Sequence, residues 1–335
     1  MLVTALNTML IMGVGAMRVI DGQMSIGMLV AFQTLAASFT GPVQIIIGLG
    51  RQILELKGDM NRLDDVMKYP QDPWHTTEAA KHKNLASTET PPQAKLQGRI
   101  EMQQLTFGYN PSGEPLINDF SLCMEPGERV AIVGPSGCGK STVSKLVMGL
   151  YEAWSGDILY DGKRRTDYPR QVFYNSVALV EQDVTMFQGT VRDNLTMWDT
   201  TISDQDMIQA AKDACIHDMI ISRPGGYDSH INEGGANMSG GQRQRMEIAR
   251  ALTTNPRVLV MDEGTSALDA ATEQQIDENL RRRGCTCIII ADRLSTIRDA
   301  DQILVLQNGL MVERGTHEDL IQIQDGYYSR MIAQT

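Results

Sequence analysis

The segment VAIVGPSGCGKST, Val130 to Thr142, constrains this chain more than any other. Its four leading apolar residues predict a strand buried on both faces, and the glycines that follow predict a turn that other residues make only under strain. Lys140, Ser141 and Thr142 then open a helix start. The whole fits the pattern G-x-x-x-x-G-K-[ST] at Gly134, Gly139, Lys140 and Ser141, in the strand–loop–helix context that gives the pattern its meaning. Glycines let backbone N–H groups turn inward around phosphate oxygens, and a helix N-terminus adds positive potential. Gly134, Pro135, Ser136, Gly137, Cys138, Gly139, Lys140, Ser141 and Thr142 are therefore candidate phosphate contacts. Lys140 is placed to reach the β- and γ-phosphates, and the Ser141 hydroxyl to ligate Mg²⁺. Cys138 reads as a small filler, whose alkylation would block the loop by bulk.

A second apolar strand is expected in PRVLVMDEGTSALD, ending in Asp262 and Glu263. Beside a phosphate loop, two adjacent carboxylates suit a division of labour: Asp262 holds Mg²⁺, and Glu263 orients or deprotonates a water. A third strand, in IIIADRLST, is expected to stop on Asp292.

Bulk properties narrow the class. The formal net charge is -11, which argues against a nucleic-acid binder, since that function leaves a basic excess. Five cysteines, with no C-x-x-C pair, suggest neither a disulfide framework nor a zinc site.

The charge is unevenly spread. Up to about Gly50 only Arg18 and Asp21 are charged. The first uncharged run is slightly short of the roughly 20 residues a membrane helix needs, and the second, MSIGMLVAFQTLAASFTGPVQIIIGLG, is long enough. Arg51, Lys57 and Arg62 follow it, which by the positive-inside tendency puts the remainder in the cytoplasm. Residues 1–68 thus read as the last two spans of a larger membrane domain, residues 69–95 as a Pro-, Thr- and Lys-rich linker, and residues 96–335 as a soluble domain.

Between the phosphate loop and the carboxylate strand's end lies NMSGGQRQRMEIARAL, where Ser239, Gly240, Gly241 and Gln242 open a helix with apolar Met246, Ile248, Ala249 and Leu252 on one face. It closely resembles the signature of ABC-type ATPases, with Met238 where leucine is more usual. The resemblance extends through FGY, ALVEQD, INEGGAN and SALD. It implies an adenine-stacking role for Tyr109, Mg²⁺ and water sensing for Gln182, and a subunit-bridging role for Asp269. It further implies an α/β P-loop fold: a parallel-sheet core, an antiparallel β subdomain and a helical subdomain, roughly Asp193 to Arg250. ATP would be sandwiched, head to tail, between the phosphate loop of one chain and the signature of a second ATPase domain.

The preceding spans resemble the exporter type, in which membrane and ATPase domains share one chain in the bacterial inner membrane. NEGGANMSGGQRQRMEIARAL and RDADQILVLQNG look most like bacteriocin and leader-peptide exporters, so an exported peptide or other small cargo is implied. One residue departs from the pattern. The family carries a histidine that donates to the γ-phosphate where this chain has Asp292, and an ionised carboxylate only accepts. Three readings stay open: Asp292 turns away and turnover is slow, Asp292 is protonated beside Glu263, or the chain is the weakened regulatory half of a heterodimer.

Overall fold

The computed structural model describes residues 2–68, 72, 74, 95–291 and 293–334. They fall into two units, Met1–Thr76 and Thr77–Thr335. The segment expected as a linker lies, apart from residues 72, 74 and 95, outside the described residues.

The first unit is a pair of helices, Leu2–Ile20 and Ile26–Met67. Gly22, at φ +74°, makes the left-handed exit from the first, and Ser25 caps the second by accepting from the Met28 N–H. The helices pack closely where Gly15 meets Leu29: a Cβ on Gly15 would fall 2.1 Å from the Leu29 side chain. Helix Ile26–Met67 runs 42 residues, through Pro42, with no buried side chain. The uncharged stretch from Ile26 to Gly50 spans roughly 37 Å at about 1.5 Å per residue, enough to cross a hydrocarbon core of about 30 Å. Within it the Thr34 and Thr40 hydroxyls donate to the Val30 and Ala36 carbonyls, so these polar groups are satisfied inside the helix. Beyond Gly50 the same helix carries exposed ion pairs such as Arg51–Glu55. Among the described residues it is the one helix long and apolar enough to cross a membrane.

The second unit contains two main sheets. Strands β1 (Ile100–Phe107), β2 (Ile117–Met124), β4 (Ser155–Tyr160) and β5 (Lys163–Arg164) form an antiparallel sheet in the order β2-β1-β4-β5. In β1 Gln104, with a φ of +49°, marks a bulge where the register with both neighbours shifts. The larger sheet has the order β12-β11-β3-β10-β9-β6, built from β3 (Arg129–Val133), β6 (Val177–Val180), β9 (Val258–Asp262), β10 (Thr286–Ile290), β11 (Gln302–Gln307) and β12 (Leu310–Gly315). All its pairs are parallel except β11 with β12. Two short strands, β7 (Gly189–Thr190) and β8 (His230–Ile231), pair separately. Strands β3 and β10 are buried along their whole length, as expected for continuous apolar runs covered on both faces.

Strand order brings distant segments together. β3 lies between β10 and β11, so the chain order reverses there, and ligands bind beyond the carboxyl ends of such strands. Ile132 pairs with Ile290, Ile290 with Asp262, and Met261 with Val180. The segments beginning at Gly134, Ala291, Glu263 and Glu181 therefore leave the sheet at one edge. β10 ends at Ile290, two residues short of the strand end expected at Asp292. Between β6 and β9 stand the helices Val191–Thr196, Asp204–Asp213, His217–Ser222 and Gly240–Thr253. The Arg283 Nε–Asp213 Oδ2 contact of 2.6 Å ties this helical part to the sheet core.

Candidate functional site

The loop after β3 takes its shape from glycine. Gly134, Gly137 and Gly139 have φ of +151°, +79° and +107°. A Cβ on Gly134 would lie 2.1 Å from the Leu306 carbonyl oxygen, and one on Gly139 would lie 2.4 Å from the Ile117 side chain. Helix Lys140–Val147 follows directly, and no side chain caps its start. A helix N-terminus in a glycine turn, left without a side-chain cap, is a preformed anion site. Lys140 is buried and donates from Nζ to the Gly134 carbonyl at 2.6 Å, which folds its ammonium back over the loop. Cys138 is buried, its sulfur within contact reach of Gly134, as a filler would be.

Asp262, at the end of β9, meets this helix. Its Oδ1 accepts from Ser141 Oγ at 3.1 Å and its Oδ2 from Ser144 Oγ at 3.4 Å. A hydroxyl and a carboxylate side by side next to a phosphate cradle are the hard oxygen donors that Mg²⁺ prefers, so the residues present fit that ion. Sequence reasoning missed Ser144, although its position three residues after Ser141 puts it on the same helical face. Glu263 comes next, with a φ of +51° that is costly for a non-glycine residue. Its N–H donates to the Ile290 carbonyl at 2.8 Å and its carbonyl accepts from Gln244 Nε2 at 3.0 Å.

Tyr109 meets the helix that follows the phosphate loop. Tyr109 is half exposed, and its hydroxyl sits 3.1 Å from Thr142 Oγ1. The rings of Phe107 and Tyr151 each stand edge-on to it at 5.3 Å. Gln182 is exposed, two residues past β6. Asp292 lies outside the described residues.

The signature segment has a different local chemistry. Gln242 N–H donates to Ser239 Oγ at 3.3 Å while Ser239 N–H donates to Gln242 Oε1 at 3.0 Å, a reciprocal capping box. Gly240 and Gly241 follow the cap, and a Cβ on Gly241 would lie 3.1 Å from the Ala267 carbonyl. Met238 is buried in the core, where it fills the volume of a leucine with little penalty. Asp269 caps helix Ala270–Arg283, accepting from Thr272 N–H at 3.0 Å and Thr272 Oγ1 at 2.8 Å. Those bonds, from the backbone first, hold its carboxyl below the usual aspartate range.

A glycine phosphate loop at the reversal point of a parallel sheet, with a strand-end carboxylate against its serine, defines the class of P-loop nucleoside triphosphatases. Within it, residues 117–266 match the family profile for ABC transporters. The chain is 38% identical over 327 residues to a Staphylococcus aureus protein named for multidrug export as an ATP-binding/permease protein, covering 97% of this chain and 55% of that one. It is 37% identical over 316 residues to the exotoxin translocation ATP-binding protein PaxB of Pasteurella aerogenes, covering 94% and 43%. Among solved structures it resembles a bacterial Atm1-family ABC exporter with ATP bound, at a TM-score of 0.69 and 33% identity, over 93% of this chain and 53% of that one. The chain carries the ATP-binding domain of the ABC transporter family, and over nearly its whole length it is similar to ABC exporters. It spans about half the length of the curated relatives it matches.

Proposed function

We propose that this chain is the ATP-hydrolysing part of an exporter that works by head-to-tail closure of two ATPase domains on two ATP molecules. The observation that carries the reading is the contact of Ser141 with Asp262, 3.1 Å apart across 121 positions of sequence, with Glu263 beside it. In this proposal the loop amides and Lys140 hold the β- and γ-phosphates, and Tyr109 stacks on adenine. Ser141 and Asp262 hold Mg²⁺ with Gln182 nearby, and the ion supplies neutralisation of phosphate charge. Glu263 orients or deprotonates the attacking water. The partner's phosphates are met by Ser239, Gly240, Gly241 and Gln242, and Asp269 lies at the seam between the domains.

The apolar part of helix Ile26–Met67 supports a place in a bacterial inner membrane, with a second span in Leu2–Ile20 and the ATPase unit on the cytoplasmic side. The membrane part in the same chain is then the direct mechanical partner. For cargo we carry forward a peptide or bacteriocin-like substrate, on the likeness of the signature region, and the name of the Pasteurella relative supports a polypeptide. The name of the Staphylococcus relative favours small drug-like molecules instead, so cargo is decided by transport assays with both classes. The net charge of -11 supports a role without nucleic acid.

Steady-state hydrolysis by the protein in liposomes tests the reading. Glu263→Gln is expected to lower turnover by on the order of 10²- to 10³-fold with ATP binding retained. Asp292→His is expected to raise it, by up to about 100-fold if a transition-state donor is restored. A second reading, the weakened regulatory half of a heterodimer, is favoured by Asp292 itself. It predicts ATP binding without Glu263-dependent turnover until a different partner is added.

A further inference from the structure

The sequence alone does not single out Gln244, one of four consecutive polar residues, Gln242 to Arg245, that follow the signature glycines. In the structure it is buried, 2% exposed, in the second turn of helix Gly240–Thr253. Burying an amide side chain is costly unless its donor and acceptor sites are met. Here Nε2 donates to the Glu263 carbonyl at 3.0 Å and to Ser266 Oγ at 3.3 Å, while Oε1 accepts the Ala267 N–H at 2.7 Å. One side chain thus joins the signature helix to the backbone of Glu263 and to the loop that leads into Asp269. That loop is held from its other side by Arg293, whose guanidinium donates to the Ser266 and Leu268 carbonyls at 2.6 Å and 2.8 Å.

We infer that Gln244 is a positioning residue for hydrolysis, which fixes the strained backbone of Glu263 by tethering it to the chain's own signature helix. Glu263 sits at φ +51°, and such a conformation persists only where neighbours over-determine it. Three contacts do so: the Ile290 carbonyl accepts its N–H, Gln244 grips its carbonyl, and the Ser266 N–H donates to that same carbonyl at 3.1 Å. The second is the informative one, because Gln244 lies five residues beyond Ser239. A shift of the signature helix as it meets a partner's ATP is passed to Glu263 through one amide, which couples the two ATP sites without a contact between nucleotides. This inference rests on the proposed role of Glu263, and its test is chosen to separate the two.

The test substitutes Gln244→Met, which keeps length and apolar bulk and removes all three hydrogen bonds. Hydrolysis, ATP affinity and hydrogen exchange at the Glu263 and Ala267 amides are compared with the unsubstituted protein. The expected result is a fall in kcat of roughly 10- to 100-fold, the scale of a misplaced reacting group, with ATP affinity unchanged within about twofold. Cooperativity in ATP is expected to drop toward a Hill coefficient of about 1, with faster exchange at both amides. Unchanged kcat, or a parallel loss of affinity and thermal stability, would overturn the positioning role. If the unsubstituted protein shows no Glu263-dependent hydrolysis, the proposed function fails on its own. Exchange then decides the tether: faster exchange at Glu263 and Ala267 supports it, and unaltered exchange sinks it.

Discussion

Two helix starts in this molecule carry glycine-rich segments, and they are built in opposite ways. At helix Lys140–Val147 the cap position is Gly139 at φ +107°, and no side chain answers the first turn. At helix Gly240–Thr253 the cap is Ser239, and it and Gln242 satisfy each other's amides in a closed box. The first is an anion site before any anion arrives, because its start is shaped by glycine backbone geometry and no side chain caps it. The second is at rest in the single chain, and a phosphate that reaches it must exchange with a bond already made. The difference gives a physical reason for the proposed order of events: ATP binds first to the phosphate loop of one chain, and the signature of the second domain closes on it afterwards.

The comparison breaks most sharply at Gly134. Alanine there places a Cβ 2.1 Å from the Leu306 carbonyl oxygen, a backbone atom that cannot swing aside, at a φ of +151° that an L residue resists. Gly134→Ala is therefore expected to weaken ATP binding by on the order of 100-fold or more, the cost of losing preorganised donors. Equilibrium binding of a fluorescent ATP analogue reads this, with a thermal melt to confirm that the unit still folds. Binding within about threefold of the unsubstituted protein would mean that the loop tolerates movement and that preorganisation is not its source of affinity.

The effect expected at the other helix start is smaller and of a different kind. Ser239→Ala removes the oxygen that accepts the Gln242 N–H, at a cost of about 1 kcal/mol in helix stability. It leaves the phosphate loop of the same chain untouched. First-site ATP affinity is thus expected to stay within about twofold, while hydrolysis falls roughly tenfold through the partner's site. Comparing binding at low protein concentration with turnover at high concentration separates the two. Equal losses in both assays would erase the distinction drawn between the two glycine segments.

The same contrast explains what could be read from sequence. The phosphate loop is a contiguous stretch whose conformation is set by glycine at three positions, so residue types alone determine it. The box of Ser239 and Gln242 is likewise local, a three-residue spacing that any reader can see. Asp262 was legible because it ends an apolar run, and strand ends in a parallel sheet converge. Gln244, Ser144 and Arg293 were not legible, because each acts on residues 19 to 118 positions away, or 25 to 27 in the case of Arg293. The role of Asp269 as a helix cap was hidden in another way: a family likeness directed attention to a partner subunit and away from Thr272, three residues on. Helix Ile26–Met67 ran further than its composition suggested, because Pro42 and the glycines near residue 50 interrupt a hydropathy pattern without stopping the helix.

A third kind of helix start gives the mildest prediction. Helix Ala270–Arg283 is capped by Asp269, and helix Val191–Thr196 has Asp193 returning a bond to the Thr190 N–H at 2.9 Å. Both carboxyls are held below the usual aspartate value, Asp269 first by the Thr272 backbone bond and Asp193 first by the Thr190 backbone bond. The sign follows from which state binds more protons. Between the depressed folded value and the ordinary one near 3.8 the unfolded chain is the more protonated, so stability rises with pH across that window. The contribution is complete above the ordinary value and is lost as pH falls through the folded one. The thermal midpoint of the unit that holds both caps is expected to fall as pH drops below about 4, and to fall less in Asp269→Asn, since asparagine caps almost as well without titrating. The serine-capped signature helix has no titrating group at its cap, so in the same series exchange at the Gln242 amide should lose no protection beyond the intrinsic pH effect while Thr272 does. Equal loss of protection at both amides would mean that acid acts on the unit as a whole and not through its carboxylate caps.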